Sequence, residues 1–181
     1  MNTNKTCSIL NPLSDGVGGN SPVNRGAYAT TAFDRLRILE RYRRIAMVGL
    51  SSNPFRPSHF AAIYLLSEGY DVVPVNPREE WVLGRQSYPS VAAVPGAVDV
   101  VDIFREPLAV PEIVEEAIAK HAKVVWMQLG VVHEEAAARA RQAGLEVVMD
   151  RCMKIEHARF FGGLNTIGMN TAVITAKRRH R

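Results

Sequence analysis

Arg43 to Pro77 reads RRIAMVGLSSNPFRPSHFAAIYLLSEGYDVVPVNP, and this stretch decides the fold. A short apolar run, Ile45 to Val48, ends in Gly49, and a polar loop with two prolines follows from Leu50 to Pro57. Ser58 opens an apolar-periodic segment with Ala62, Ile63, Leu65 and Leu66 on one face. Gly69 stops it, and a second apolar run, Val72 to Val75, comes at once. Strand, glycine loop, helix, glycine stop and strand make a βαβ unit, whose crossover is right-handed almost without exception. The loop after the first strand then faces a helix N-terminus, where free N–H groups and the helix dipole favour an anion such as phosphate.

The rest of the chain continues the alternation. Phe33 to Tyr42 has helical spacing, with Phe33, Leu36, Ile38 and Leu39 among arginines. Val98 to Phe104, Lys123 to Leu129 and Leu145 to Met149 are the third, fourth and fifth apolar strands. Between them, Pro111 begins a helix through PEIVEEAIAKHA, and His133 to Ala143 is an alanine-rich helix stopped by Gly144. Trp81 to Leu83 is a short extended piece, Asp150 to Phe161 a last helix, and Thr171 to Thr175 a candidate edge strand. Near-continuous apolar strands alternating with helices predict a doubly wound, all-parallel five-stranded α/β sheet of Rossmann type, covered on both faces. The expected strand order is 3-2-1-4-5, with a site outside the carboxyl ends of strands 1 and 4. Residues 1–32 are an expected extension, 33–161 the folded domain, and 162–181 a tail with a basic end.

Charge and composition narrow the function. The chain carries a net charge of +4. Residues 1–44 hold seven Lys/Arg against three Asp/Glu, and the end KRRHR adds four more cations, so residues 45–176 are acidic. A nucleic-acid-binding face should put its cations on the fold, so these read as solvated basic ends. No run is long and apolar enough for a bilayer. The first residues lack both a basic start and an apolar core, and the only cysteines are Cys7 and Cys152, so a cytoplasmic setting is expected.

Candidate binding residues fall where strands end. The first loop has Gly49, Ser51, Ser52, Asn53, Arg56 and Ser58 but not the three glycines of the dinucleotide fingerprint. It is either an anion-binding loop of another kind or a plain connection. The second strand ends in Val75, Asn76, Pro77 and Arg78, without the acid that holds a ribose in NAD enzymes. Arg78 suits a nucleotide with an extra ribose phosphate, or is a surface arginine; Arg56 and Arg85 are further candidate cations. Phe104 and Arg105, then Gln128, Leu129 and Gly130, end the third and fourth strands. Cys152 follows Arg151 near a helix start, a setting that favours thiolate; the alternative reading, a small packed residue, is the stronger one. The histidines His59, His121, His133, His157 and His180 lack metal-ligand spacing and are expected to be structural. No nucleophile–base pair, P-loop or nucleophile elbow is legible.

These ordered motifs, together with GRQSYPS, VDVVDIFR, KVVWMQLGVVHEEAAARA and VVMDRCMKIEH, resemble the small stand-alone CoA-binding proteins. That family is similar to the CoA-binding domain of the succinyl-CoA synthetase alpha subunit, and the resemblance spans residues 33–157. It implies coenzyme A or an acyl-CoA as ligand. Gly49 and Ser51 to Asn53 would meet the phosphates, and Val75 to Arg78 the nucleotide side. Ile103 to Arg105 would flank the pantetheine, and Gln128 to Gly130 replace a Thr–Glu segment. The first loop is longer here, and Leu129 stands where the family has the acid. The synthetase's phosphohistidine domain has no counterpart, so the resemblance implies a binder without catalytic machinery. The alternatives are an NADP-dependent oxidoreductase and a CoA-binding subunit that joins a separate catalytic chain; a homo-oligomer also fits.

Overall fold

The computed structural model describes residues 30–162. The expected edge strand at Thr171 to Thr175, the basic end and Cys7 lie outside these residues. The elements are α1 (Ala32–Arg41), β1 (Arg44–Val48), α2 (Pro57–Ser67), β2 (Asp71–Val75), β3 (Trp81–Val82), β4 (Arg85–Gln86) and β5 (Val100–Ile103). There follow α3 (Val110–Ala119), β6 (Val124–Met127), α4 (Glu134–Gln142), β7 (Glu146–Val148) and α5 (Met153–Phe161). Five of the strands form one parallel sheet, and β3 and β4 form a separate antiparallel hairpin.

Alternation along each strand divides the core. Ile45 and Met47 of β1 join one buried cluster with Ile38 and Leu39 of α1, Ala61, Ala62 and Leu65 of α2 and Met153 of α5. Ala46 and Val48 join the other, with Val110, Ile113, Val114 and Ala117 of α3 and Ala136, Ala137 and Ala140 of α4. Helices on both faces are what allow four or five successive strand residues to be apolar. Two expected core positions face solvent: Phe33 is 83% exposed and Ile63 48%. Arg35 is buried in their stead on α1, its Nε donating to Glu156 Oε2 of α5 at 2.7 Å. Thr31 and Asp34 close a reciprocal capping box at the start of α1.

The strand order differs from the expected 3-2-1-4-5. The sheet runs β2-β1-β5-β6-β7, which is 2-1-3-4-5 when these five strands are counted along the chain. β5 therefore pairs with β1, with Ala46 opposite Val101, and not with β2. The reason lies after β2. Tyr88 forms a parallel bridge to Val75, its N–H donating to Pro74 O at 3.0 Å while Asn76 N–H donates to Tyr88 O at 2.8 Å. That closes the carboxyl end of the outer edge of β2. The chain then crosses the α3/α4 face, burying Val91, Val94 and Val98, and inserts β5 on the far side of β1. Winding therefore reverses between β1 and β5, so the crevice opens beside those two strands and not beside strands 1 and 4.

Candidate functional site

An open cleft of about 990 Å³ lies over the carboxyl ends of the parallel strands. Gly49 and Phe104, which follow the adjacent strands β1 and β5, form its base. Gly49 N–H donates to Val75 O at 2.8 Å, and Phe104 N–H to Val48 O at 2.9 Å, so the ends of three neighbouring strands are tied together. Gly49 has φ +85°, and a Cβ there would lie 2.8 Å from Phe104 O. The glycine is thus required by the protein's own backbone, in addition to any ligand.

The loop from β1 to α2 is internally satisfied. Ser51 N–H donates to Ser58 Oγ at 3.3 Å, Asn53 N–H to Ser51 Oγ at 3.2 Å and Phe55 N–H to Asn53 Oδ1 at 2.9 Å. Arg56 N–H donates to Asn53 O at 3.0 Å, and the ring Nδ1 of His59 lies 2.9 Å from Ser51 O. Ser52 N–H takes a charged partner from the segment that follows β2, Glu79 Oε2 at 2.9 Å. Asn76 Nδ2 reaches Glu79 Oε1 at 3.3 Å and Leu50 O at 2.9 Å. Burial pulls the Glu79 carboxyl up, but hydrogen bonds from Ser52 and Ser51 outweigh it and hold the group below the usual carboxylate range. An acid does therefore stand near the end of β2, three residues beyond Asn76, turned toward the first loop.

Of the candidates in this loop, Gly49, Ser51, Arg56 and Ser58 line the cleft; Ser52 and Asn53 shape the loop behind it. At the end of β2, Asn76 and Arg78 line it, whereas Val75 is core and Pro77 lies outside the lining. Among the described residues Arg56 and Arg78 have no ion pair. Arg85, the further candidate cation, is bound to Asp71 at 2.7 Å and lies outside the cleft lining. Arg105 lines the cleft and pairs with Glu106 at 3.2 Å.

Gln128 and Leu129 line the far part of the cleft. Gly130 does not; its N–H is held by Asp150 Oδ1 at 2.8 Å. Gln128 is 3% exposed and its Nε2 donates to Asp102 Oδ1 at 2.7 Å. Asp102 is fully buried in β5, and burial, opposed by the Gln128 hydrogen bond, pushes its carboxyl up to about 7.

Cys152 lines the same end as the N-cap of α5, its thiol free. Of the two readings of Cys152, its surroundings favour the packed residue over the thiolate. Burial, the largest effect, pushes the thiol up; the Ile155 amide opposes it, Asp102 adds to it, and the Lys154 amide and charge oppose it more weakly. Three of the histidines are structural: His59 braces the first loop, His133 caps α4 by accepting from Ala136 N–H, and His157 meets Tyr64 Oη at 3.0 Å. Among the described residues no group of three or more His, Cys, Asp or Glu could hold a metal.

Sequence reasoning missed Phe55, Phe60, Glu79, Glu106, Lys154 and Ile155 in the lining. Phe55 is 88% exposed and Phe60 55%, so the mouth beside the loop from β1 to α2 is aromatic. A sequence signal for Phe60 existed: α2 is apolar nearly all round, more than one buried face needs. Glu79 had no such signal, because it acts through a partner 27 residues away.

Comparison with known proteins agrees with this architecture. The sequence profile of the family described as CoA binding domain matches residues 43–158. The uncharacterized protein YneT of Bacillus subtilis (strain 168) is 40% identical over 121 residues, covering 67% of this chain and 90% of that one. A hypothetical protein from Pyrococcus horikoshii OT3 superposes with a TM-score of 0.72 at 49% identity, covering 74% of this chain and 94% of that structure. The acetate–CoA ligase [ADP-forming] II of Archaeoglobus fulgidus is 29% identical over 135 residues, 72% of this chain but 20% of the ligase. Among the described residues no helix is long and apolar enough to cross a membrane.

Proposed function

The chain belongs to the CoA binding domain family, and we propose that it holds coenzyme A or an acyl-CoA along the carboxyl-edge cleft. The observation that carries this reading is the pair of cations without ion-pair partners among the described residues, Arg56 and Arg78, facing one cleft beside the N-terminus of α2. Cations and a helix N-terminus together suit a diphosphate. In this reading the pyrophosphate lies along Gly49 to Ser58, and Arg78 neutralises phosphate charge on the nucleotide side. The pantetheine arm runs over Phe104 and Arg105 toward Gln128, Leu129 and Cys152. A volume of about 990 Å³ is at the upper end for ligand clefts and suits an elongated molecule.

The chain's part in this reading is to bind and orient; among the described residues no group in the cleft is arranged as a nucleophile with its base. Calorimetry with CoA, acetyl-CoA, ADP and NADP tests the reading. CoA or acetyl-CoA should bind most tightly, and a clear preference for NADP overturns it.

A second reading, a binding subunit beside a separate catalytic chain, is favoured by the match to one fifth of an ADP-forming ligase. Co-purification at native expression of a chain that forms acyl-CoA only together with this one supports it; ligase activity in that chain alone opposes it.

A further inference from the structure

We propose that Glu79 sets which anions the first loop accepts, because its carboxylate is the loop's resident anion and a phosphate-bearing ligand binds there by exchanging with it. The inference rests on the cleft being the ligand site, and it adds how that site discriminates.

The N–H groups of Ser51, Ser52, Asn53, Phe55 and Arg56 all have partners within the protein. Four of those partners are neutral groups of the loop and α2 themselves. The fifth, at Ser52, is the carboxylate of Glu79, which comes from the segment after β2 and itself lines the cleft. A carboxylate on a backbone N–H is the same charge-assisted contact that a phosphate oxygen makes. Asn76 steadies the second oxygen while its own Oδ1 accepts from Arg78 N–H at 3.0 Å. The acid is thereby tied to the segment that carries one of the free cations. The depressed protonation of Glu79 has the same origin: the Ser52 and Ser51 donors favour the charged form.

Two consequences follow. A ligand without phosphate offers nothing to displace Glu79, so the loop stays closed on its own acid. A diphosphate brings more charge than the carboxylate and meets Arg56 and Arg78, which have no ion pair with Glu79 or any other described residue. After exchange, Glu79 stands close to the bound phosphates and opposes them. Wild-type affinity therefore contains a penalty that a neutral side chain of the same shape does not impose.

The test compares the full chain with Glu79→Gln and Glu79→Asp by calorimetry, using CoA, ADP and phosphate-free pantetheine. Thermal melts confirm that each variant folds. Glu79→Gln keeps an acceptor for Ser52 N–H and removes the charge, so CoA and ADP should bind roughly two- to fivefold tighter, the scale of one partly exposed charge interaction. Pantetheine should be unaffected. Glu79→Asp keeps the charge and should not reproduce the gain. Equal or weaker CoA binding in a folded Glu79→Gln variant, with wild type still binding, overturns the exchange while leaving the site reading intact. No binding of CoA or ADP by either protein overturns both. Binding by Glu79→Gln alone supports the exchange.

Discussion

Asp102 Oδ1 accepts a 2.7 Å hydrogen bond from Gln128 Nε2, while Asp102 Oδ2 is buried without a partner. Asp102 is fully buried in the middle of a parallel sheet, between Met47 and Trp126, where an ionised carboxylate is costly. Gln128 lines the cleft, so a charge state inside the sheet is one hydrogen bond from the ligand site.

This pair predicts a pH dependence of stability. Burial raises the folded-state value of Asp102 to about 7, opposed by Gln128, against an ordinary value of 3.8. Between those values the folded state holds a proton that the unfolded state has lost. Stability from this group is therefore fully present below pH 3.8 and is lost as pH rises through about 7. The loss is on the order of a few kcal/mol. Denaturant unfolding at pH 5, 7 and 8.5 should show a decline that is much flatter in Asp102→Asn; parallel declines in both proteins would assign it to other groups.

The arginines at the α1–α5 contact are not equivalent. Glu156 pairs with Arg35 at 2.7 Å and with Arg159 at 3.5 Å, and the Arg35 and Glu156 side chains are 9% and 3% exposed. Glu156→Ala strands two cations and should cost about 3–5 kcal/mol of stability. Arg35→Met should cost less, because Arg159 still neutralises Glu156. Urea melts of the two variants decide this, and a larger loss in Arg35→Met contradicts the shared-acid arrangement.

Gly49 and Gly130 separate strain from collision. Both have positive φ, +85° and +82°, but a Cβ at Gly49 meets Phe104 O at 2.8 Å and one at Gly130 meets nothing within 4 Å. Gly130→Ala should cost roughly 1–2 kcal/mol from backbone strain alone. Gly49→Ala should cost clearly more, and equal losses in chemical denaturation would show that the strand ends yield easily. Gly49 variants are for this reason poor probes of ligand contact.

Arg78 is a better probe, since it lines the cleft without an ion pair among the described residues. A charge-assisted hydrogen bond contributes about 1.5–3 kcal/mol, so Arg78→Ala should weaken CoA by roughly tenfold to a hundredfold. CoA lacking its 3′-phosphate should bind the variant and wild type nearly equally. Additive losses in calorimetry would place Arg78 on another group of the ligand.

Much of this was written in the order of residues. Ile45 to Val48, Ser58 onward and Val72 to Val75 form their strand, helix and strand because local periodicity and a glycine stop act over a few neighbours, and each element formed where the pattern put it. The same local grammar brought Gly49, Ser51, Arg56, Ser58, Asn76, Arg78, Phe104, Arg105, Gln128, Leu129 and Cys152 to one cleft, since parallel strands end on one side. Strand order was not local. An apolar third strand fits the outer edge of β2 or the free edge of β1 equally well, and the Tyr88 bridge beside β2 decided between them. The electrical character of the site was not local either. Whether an arginine is free or held, as Arg78 and Arg85 show, depends on charges brought near only by folding. The same is true of the Cys152 thiol, raised chiefly by burial, and of Glu79, whose anion reaches the first loop from the segment after β2, 27 residues along the chain. Electrostatic interaction and desolvation act through space, and distance along the chain does not reveal them.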